Sequence, residues 1–244
     1  MEILRSKIFE KFSEIIFGFS TKNGLNRKEP FFFNLSFTVG DDENIVKENR
    51  IAFANQLGLD ISQIAFQRQI HSDIITVVEK PGVIGESDAM ITNKKNIGLA
   101  ISSADCTPIF IYEKEKKIIA AVHSGWRGTE KKILSKTIHK MIGDFNCQAK
   151  NMFVYVGPSI HQKNYEVGEE VASLFDEKYL LRIDGKIYLD VLQANIDQLL
   201  ANKIPQTQIE ISSLCSFEEK DLLHSYRRDG KNSGRALGII AMKD

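Results

Sequence analysis

Three short stretches carry the residue types that could do chemistry. In Ser103-Ala104-Asp105-Cys106-Thr107-Pro108, polar residues and a proline break a β-like pattern and set a cysteine beside a carboxylate. Such a cysteine fits a metal ligand, a nucleophile or a packed core residue, free cysteine being among the most buried types. In His123-Ser124-Gly125-Trp126-Arg127-Gly128-Thr129, the chain's single tryptophan stands among small and charged residues. The two glycines allow a ligand close to the backbone, and Arg127 can grip a phosphate or carboxylate bidentately. A tight strand-to-helix turn around a packed tryptophan accounts for the same residues without a ligand. In Gln67-Arg68-Gln69-Ile70-His71-Ser72, His71 falls between two β-like runs.

Taken together, His71, Cys106 and His123 each lie at the end of a β-like run, 35 and then 17 positions apart. One Cys and two His form a tetrahedral zinc set with one position open, as hydrolytic zinc sites require. The same trio fits a cysteine nucleophile with a histidine base. Their spacing matches no short zinc-finger rule. A fourth stretch, His224-Ser225-Tyr226-Arg227-Arg228-Asp229-Gly230 with Ser233-Gly234-Arg235 after it, reads either as a solvated loop or as an anion clamp suited to phosphate. His139, beside the apolar face of a helical pattern, and His161, in a loop, are weaker candidates, as are Cys147 and Cys215.

The elements that must position these residues are mostly strands. Asp41-Asp42-Glu43 opens a helix with Ile45, Ala52, Phe53 and Leu57 toward one face, closed at Gly58. Strand-like runs follow over 74–78, 89–92, 97–102, 108–112 and 118–122, with turns at Pro81-Gly82 and across the charged run 113–117. Thr129 then opens a second helix, with Ile133, Leu134, Ile138, Met141 and Ile142 at helical spacing and Gly143 closing it. The free N–H groups of that helix start are expected to help hold an anion. A strand over 152–156, a helix capped by Asp190 and carrying Leu192, Ile196, Leu199 and Leu200, and strands over 209–213 and 236–242 complete the pattern. Strands outnumber helices and hairpins mix with crossovers, which predicts one α+β domain over residues 1–244, its mixed sheets covered by helices.

Composition narrows the partners. The 244 residues are 43% hydrophobic and 26% charged, which excludes a disordered or fibrous chain. Lys plus Arg and Asp plus Glu both total 32, so bulk charge points to no nucleic acid and no anionic membrane. Three cysteines do not make a disulfide framework. The N-terminus lacks an apolar signal-like region, and no apolar stretch approaches the roughly 18 residues that cross a bilayer. A reduced, cytoplasmic protein is expected.

Several runs also match a known family. The chain resembles the laccase-domain family, also described as YfiH-type or peptidoglycan-editing-factor proteins and earlier as multicopper polyphenol oxidases. The resemblance rests on Gly18-Phe19-Ser20-Thr21, Asn34-Leu35, Val39-Gly40-Asp41-Asp42, Glu48-Asn49-Arg50, Gln69-Ile70-His71, Asp88-Ala89 and Ala104-Asp105-Cys106-Thr107-Pro108. It continues through His123-Ser124-Gly125-Trp126-Arg127-Gly128, Gly157-Pro158-Ser159-Ile160, Tyr165-Glu166-Val167-Gly168 and Ser225-Tyr226-Arg227-Arg228-Asp229-Gly230. Two departures stand out: Lys22-Asn23-Gly24-Leu25 replaces the family's arginine and glycine pair, and Asn164 replaces its cysteine before Tyr-Glu-Val. Lysine keeps the charge at position 22 but loses the bidentate fork.

The resemblance implies a single-domain α-β-β-α layered sandwich with mixed β-sheets. It implies zinc, with copper as a second metal, held by His71, Cys106 and His123. The implied enzyme is a purine nucleoside phosphorylase acting on adenosine, inosine, guanosine and methylthioadenosine, with adenosine deaminase activity. Purine nucleoside and phosphate are its expected partners. Cys106, His123, His71, Asp105 and Arg127 are the expected catalytic set, with Asp105 or Asp88 as the proton donor. Lys22, Ser20, Arg227 and Arg228 are expected to hold phosphate or substrate. The alternatives are a metal-free cysteine amidase or deamidase with a Cys-His dyad, a peptidoglycan-editing hydrolase, or a non-catalytic scaffold. Laccase chemistry needs several coppers, and five histidines scattered along the chain do not furnish such a cluster.

Overall fold

Alternation along one strand shows how the layers form. In the Gly98–Ser103 strand, Leu99 and Ile101 point into a core shared with a second sheet, whereas Ala100 points the other way, toward a helix. Each face is apolar because each is covered. The computed structural model describes residues 1–243.

Two six-stranded mixed sheets lie face to face. The first has the spatial order Ile3–Leu4, Ile15–Ser20, Ala236–Met242, Gly98–Ser103, Ile64–Arg68, Gly82–Glu86. The second runs Ile209–Ile211, Met152–Val156, Thr107–Glu113, Ile118–Ser124, Ala89–Thr92, Ile75–Val77. Phe17, Phe19, Leu99, Ile101 and Ile240 of the first sheet meet Phe110, Tyr112, Ile119, Ala121 and Tyr155 of the second in the central core. Phe17 packs edge-on against Phe110 and Tyr155, both with ring centroids 5.0 Å away, a geometry worth about 0.5–1.5 kcal/mol beyond burial. Gly238 makes this approach possible: a Cβ there would stand 2.3 Å from Phe110 Cζ.

Helices close both outer faces. The Glu43–Gln56 helix lays Phe53 and Ala54 on Ala100, Leu237 and Ile239 of the first sheet. The Asp42 carboxylate accepts the Asn44 and Ile45 N–H groups at its start, and Gly58 at φ 73 follows its end, both as the sequence predicts. On the second sheet, the Ile133–Phe145 helix sets Ile133, Leu134, Ile138 and Met141 against Ile109, Ala120 and Val122. Val191–Ala201 adds Leu199 beside them, its start capped by Asp190. The layering is the expected α-β-β-α sandwich, with mixed pairing in both large sheets.

Some local expectations are corrected. Gly143 does not close its helix, which runs to Phe145 and ends on left-handed Asn146. Pro81-Gly82 leads straight into an exposed strand, Gly82–Glu86. A small third sheet, Glu166–Val167, Lys186–Leu189 and Leu180–Ile183, packs with Val171 and Val191 against Trp126 and Tyr165. No helix among the described residues is long and apolar enough to cross a membrane.

Candidate metal centre and active site

Both large sheets contribute to one rim of the sandwich. His71 lies on the connection from Ile64–Arg68 in the first sheet to Ile75–Val77 in the second. Cys106 lies on the connection from Gly98–Ser103 in the first to Thr107–Glu113 in the second. His123 stands within Ile118–Ser124, and the pairing of Pro108 with His123 brings it beside Cys106.

The three side chains converge. One donor atom from each lies within 4.8 Å of the others, and His71 Nε2 is 3.8 Å from Cys106 Sγ. A tetrahedral ion with Zn–S near 2.3 Å and Zn–N near 2.0 Å sets sulfur and nitrogen roughly 3.6 Å apart. The imidazole rings meet edge-on at 4.9 Å between centroids. Gly125 completes the cradle, since a Cβ there would fall 2.8 Å from Cys106 Sγ and 3.2 Å from His71 Cδ2. His123 is buried, Cys106 half-buried and His71 exposed, so the centre has an inner wall and an open side. The donor set and its spacing fit a divalent zinc-like ion. This is the one such convergence of His, Cys, Asp and Glu among the described residues.

Charge favours ligation as well. Burial alone would raise the Cys106 thiol, but His123 and His71 outweigh it and hold the thiol low. Burial would likewise depress His123, yet Cys106 and Asp88 hold it high. A lowered thiol beside a raised imidazole favours ligation, because a metal binds the thiolate and displaces a ring proton.

A cleft opens beside Cys106, lined by Asp105, Gly125, Trp126, Ile160, Tyr165 and Val191. Arg127 stacks on Trp126 at 4.1 Å from its ring, and Arg227 lies 5.0 Å over Tyr165. Both arginines are exposed, and both act electrostatically on the Tyr165 phenol, which burial holds protonated. Arg235 stacks over Tyr226 and feels the charges of Asp105 and Cys106.

The family profile described as multi-copper polyphenol oxidoreductase laccase matches residues 16–243. The chain belongs to this family. A purine nucleoside phosphorylase of Clostridium acetobutylicum is 36% identical over 92% of this chain and 91% of its own. An adenosine deaminase from an unknown prokaryotic organism is 32% identical over 96% and 97% of the two chains. Among solved structures, YlmD from Geobacillus stearothermophilus superposes with a TM-score of 0.93 at 27% identity, covering 100% of this chain and 97% of its own.

Within this laccase-domain scaffold, several expected sites sit differently from the sequence reading. Asp88 faces the histidines rather than the cleft: burial would raise its carboxyl, but His123 and Ser72 overcome that and hold it at about 2. Asp105, at φ 93, spends its oxygens on Ser216 Oγ–H at 2.6 Å and the Arg227 N–H at 2.6 Å. Ser20 is fully buried and accepts the Leu237 N–H, which removes it from any substrate surface. All five N–H donors of Arg228 are engaged, by Ser216, Phe217 and Leu223 carbonyls and by Asp229. Lys22 lies over the Phe32 ring near Arg228 and Asp229, its pKa lowered by burial and by Arg228. Thr129 opens no helix. It is buried inside the five-residue Trp126–Glu130 helix, which starts after Gly125, so the expected anion-holding helix start is absent there.

Sequence reasoning assigned no role to Tyr165, Ile160 or Val191, which wall the cleft from three separate segments. Tyr165 was visible in the Tyr-Glu-Val-Gly run, but nothing local tied it to Cys106.

Proposed function

We propose that this laccase-domain protein is a zinc-dependent purine nucleoside phosphorylase for adenosine, inosine, guanosine and methylthioadenosine, with adenosine deaminase activity at the same centre. The observation that carries this reading is the His71, Cys106 and His123 convergence beside a cleft whose two aromatic walls each bear an arginine. The names of the relatives supply the substrate class. One three-donor centre among the described residues does not provide a multicopper cluster. Copper remains a second metal this donor set accepts.

Trp126 and Tyr165 offer flat apolar faces to a purine ring. Arg127 and Arg227 hold phosphate through their forked donors and spread its charge as its oxygen attacks ribose C1′, the C1′–N9 bond breaks, and the proton lost by the hydrogen phosphate passes to the departing purine. Asp105 acts by fixing the Arg227 backbone rather than by giving up a proton. His71, Cys106 and His123 would hold the zinc, which would supply Lewis acidity beside the cleft. Residues 1–244 form one catalytic domain in this reading, working in the cytoplasm, where nucleosides, phosphate and reduced thiols coexist.

The test uses protein whose zinc content has been counted, incubated with adenosine with and without phosphate, the products separated by chromatography. Adenine and ribose-1-phosphate formed only with phosphate establish phosphorolysis, and phosphate-independent inosine establishes deamination. One zinc per chain with neither product overturns the purine reading.

A second reading follows from the 3.8 Å approach of His71 Nε2 to the lowered Cys106 thiol, which suits a metal-free cysteine amidase or a peptidoglycan-editing hydrolase. Stoichiometric zinc on the thiolate excludes the metal-free amidase and leaves cell-wall amides to be assayed as substrates.

A further inference from the structure

Asp88 immediately precedes the Ala89–Thr92 strand and is fully buried. Its carboxylate accepts five hydrogen bonds, all from the two histidine arms of the metal centre. Oδ1 takes His123 Nδ1–H at 2.8 Å and the His71 backbone N–H at 3.1 Å. Oδ2 takes the Ser72 N–H at 2.6 Å, the Ser72 hydroxyl at 2.7 Å and the Ile70 N–H at 3.3 Å. A carboxylate has about four lone-pair positions, so this one is saturated.

Three successive backbone N–H groups thus wrap one anion. The wrap goes with φ 58 at His71, a left-handed conformation that a non-glycine residue adopts only at a steric cost. The Asp88 main chain grips the same neighbours: its carbonyl accepts the His123 N–H at 2.7 Å, and its N–H donates to Ile74 at 3.1 Å.

We infer that Asp88 is the positioning residue for both histidines, setting His123 through its imidazole and His71 through its backbone. A proton on His123 Nδ1 leaves Nε2 as the nitrogen offered to a metal. The wrapped loop meanwhile holds His71 Nε2 at 3.8 Å from Cys106 Sγ. Only an acceptor-only side chain serves all five donors. Asparagine keeps one oxygen: placed at Oδ1 it turns an NH2 group toward the Ile70 and Ser72 donors, and placed at Oδ2 it turns one toward His123 and the His71 N–H.

The test titrates zinc against a competing chelator in the wild-type chain and in Asp88→Asn, alone and combined with His123→Ala or His71→Ala, with circular dichroism confirming the fold. Asp88→Asn is expected to weaken zinc about 10- to 100-fold. It is also expected to weaken the remaining affinity in both single-histidine backgrounds, because each retains one arm. In zinc-loaded protein, 15N spectra should show His123 as the Nδ1-protonated tautomer in the wild type and a mixture in Asp88→Asn. Unchanged affinity overturns the inference, as does a loss that vanishes in the His123→Ala background. If Asp88→Asn does not fold, Ser72→Ala carries the test, since it loosens only the His71 arm. It should weaken zinc in the His123→Ala background and leave the His71→Ala background unchanged, and any other pattern overturns the inference. The inference rests on the centre taking a metal. Wild-type protein that binds no zinc overturns that reading and this one together, whereas normal zinc binding in Asp88→Asn overturns this one alone.

Discussion

Asp105 and Cys106 are neighbours in sequence with divided tasks in space. Cys106 faces the two imidazoles, while the Asp105 carboxylate turns to Ser216 and the Arg227 backbone. Asp105→Asn should therefore leave zinc stoichiometry and the pH profile of kcat unchanged while raising KM for phosphate about tenfold. Steady-state kinetics across pH measures both, and a lost limb of the kcat profile would make Asp105 a proton donor instead. Cys106→Ala should abolish both zinc binding and turnover, read by metal analysis and product chromatography, and full activity in it would sink every enzyme reading given above. The metal trio was legible in the sequence because each member ends a β-like run. The true task of Asp88 was hidden, since its partners sit at positions 70–72 and 123 and only pairing of the strands brings them together.

At the scale of elements, a buried polar knot fixes the turn that carries Gly125 and Trp126. Ser124 donates to Asn195 Oδ1 at 2.8 Å, Asn195 Nδ2 donates to Thr129 Oγ1 at 3.0 Å, and Gln198 donates to the Thr129 carbonyl at 3.1 Å. Asn195→Ala removes the buried side-chain bonds to Ser124, Thr129 and the Val191 carbonyl and should cost about 1–3 kcal/mol, measured by urea unfolding. The knot also explains why Thr129 misled the sequence reading: its hydroxyl serves the interior of a short helix rather than a helix start. The small third sheet escaped notice because its strands are short, charged and half exposed. The strand over 15–20 escaped because apolar residues on both faces erase the alternation that marks a strand.

His224 makes a second prediction at this scale. It is buried near Phe33, and burial, with Lys22 and Arg235 nearby, holds its pKa at about 3. The unfolded chain, with a histidine near 6.5, binds a proton that the native state refuses between those values. Stability must then fall as pH drops from about 6.5 toward 3. His224→Gln should flatten that acid limb by up to about 1.4 kcal/mol per pH unit, as denaturant melts across pH would show.

For the whole molecule, strand and helix patterning predicts mixed sheets covered by helices and the family resemblance implies the α-β-β-α layering, whereas neither predicts the sheet order. The adjacency of Ala236–Met242 to Gly98–Ser103, for example, joins segments far apart in the chain, and nothing local announces it. The two sheets touch mainly through the interdigitated side chains of the central core. At one rim, His71 and Cys106 ride on two of the links that pass from sheet to sheet, and His123 is anchored in the second sheet. An ion held by all three is a rivet through the hinge side of a folded book. Its removal should leave the far rim as firm as before and let the near rim breathe. Amide hydrogen exchange after chelation should rise at residues 70–72 and 104–106 and stay level at residues 113–118, at the opposite end of the same strands.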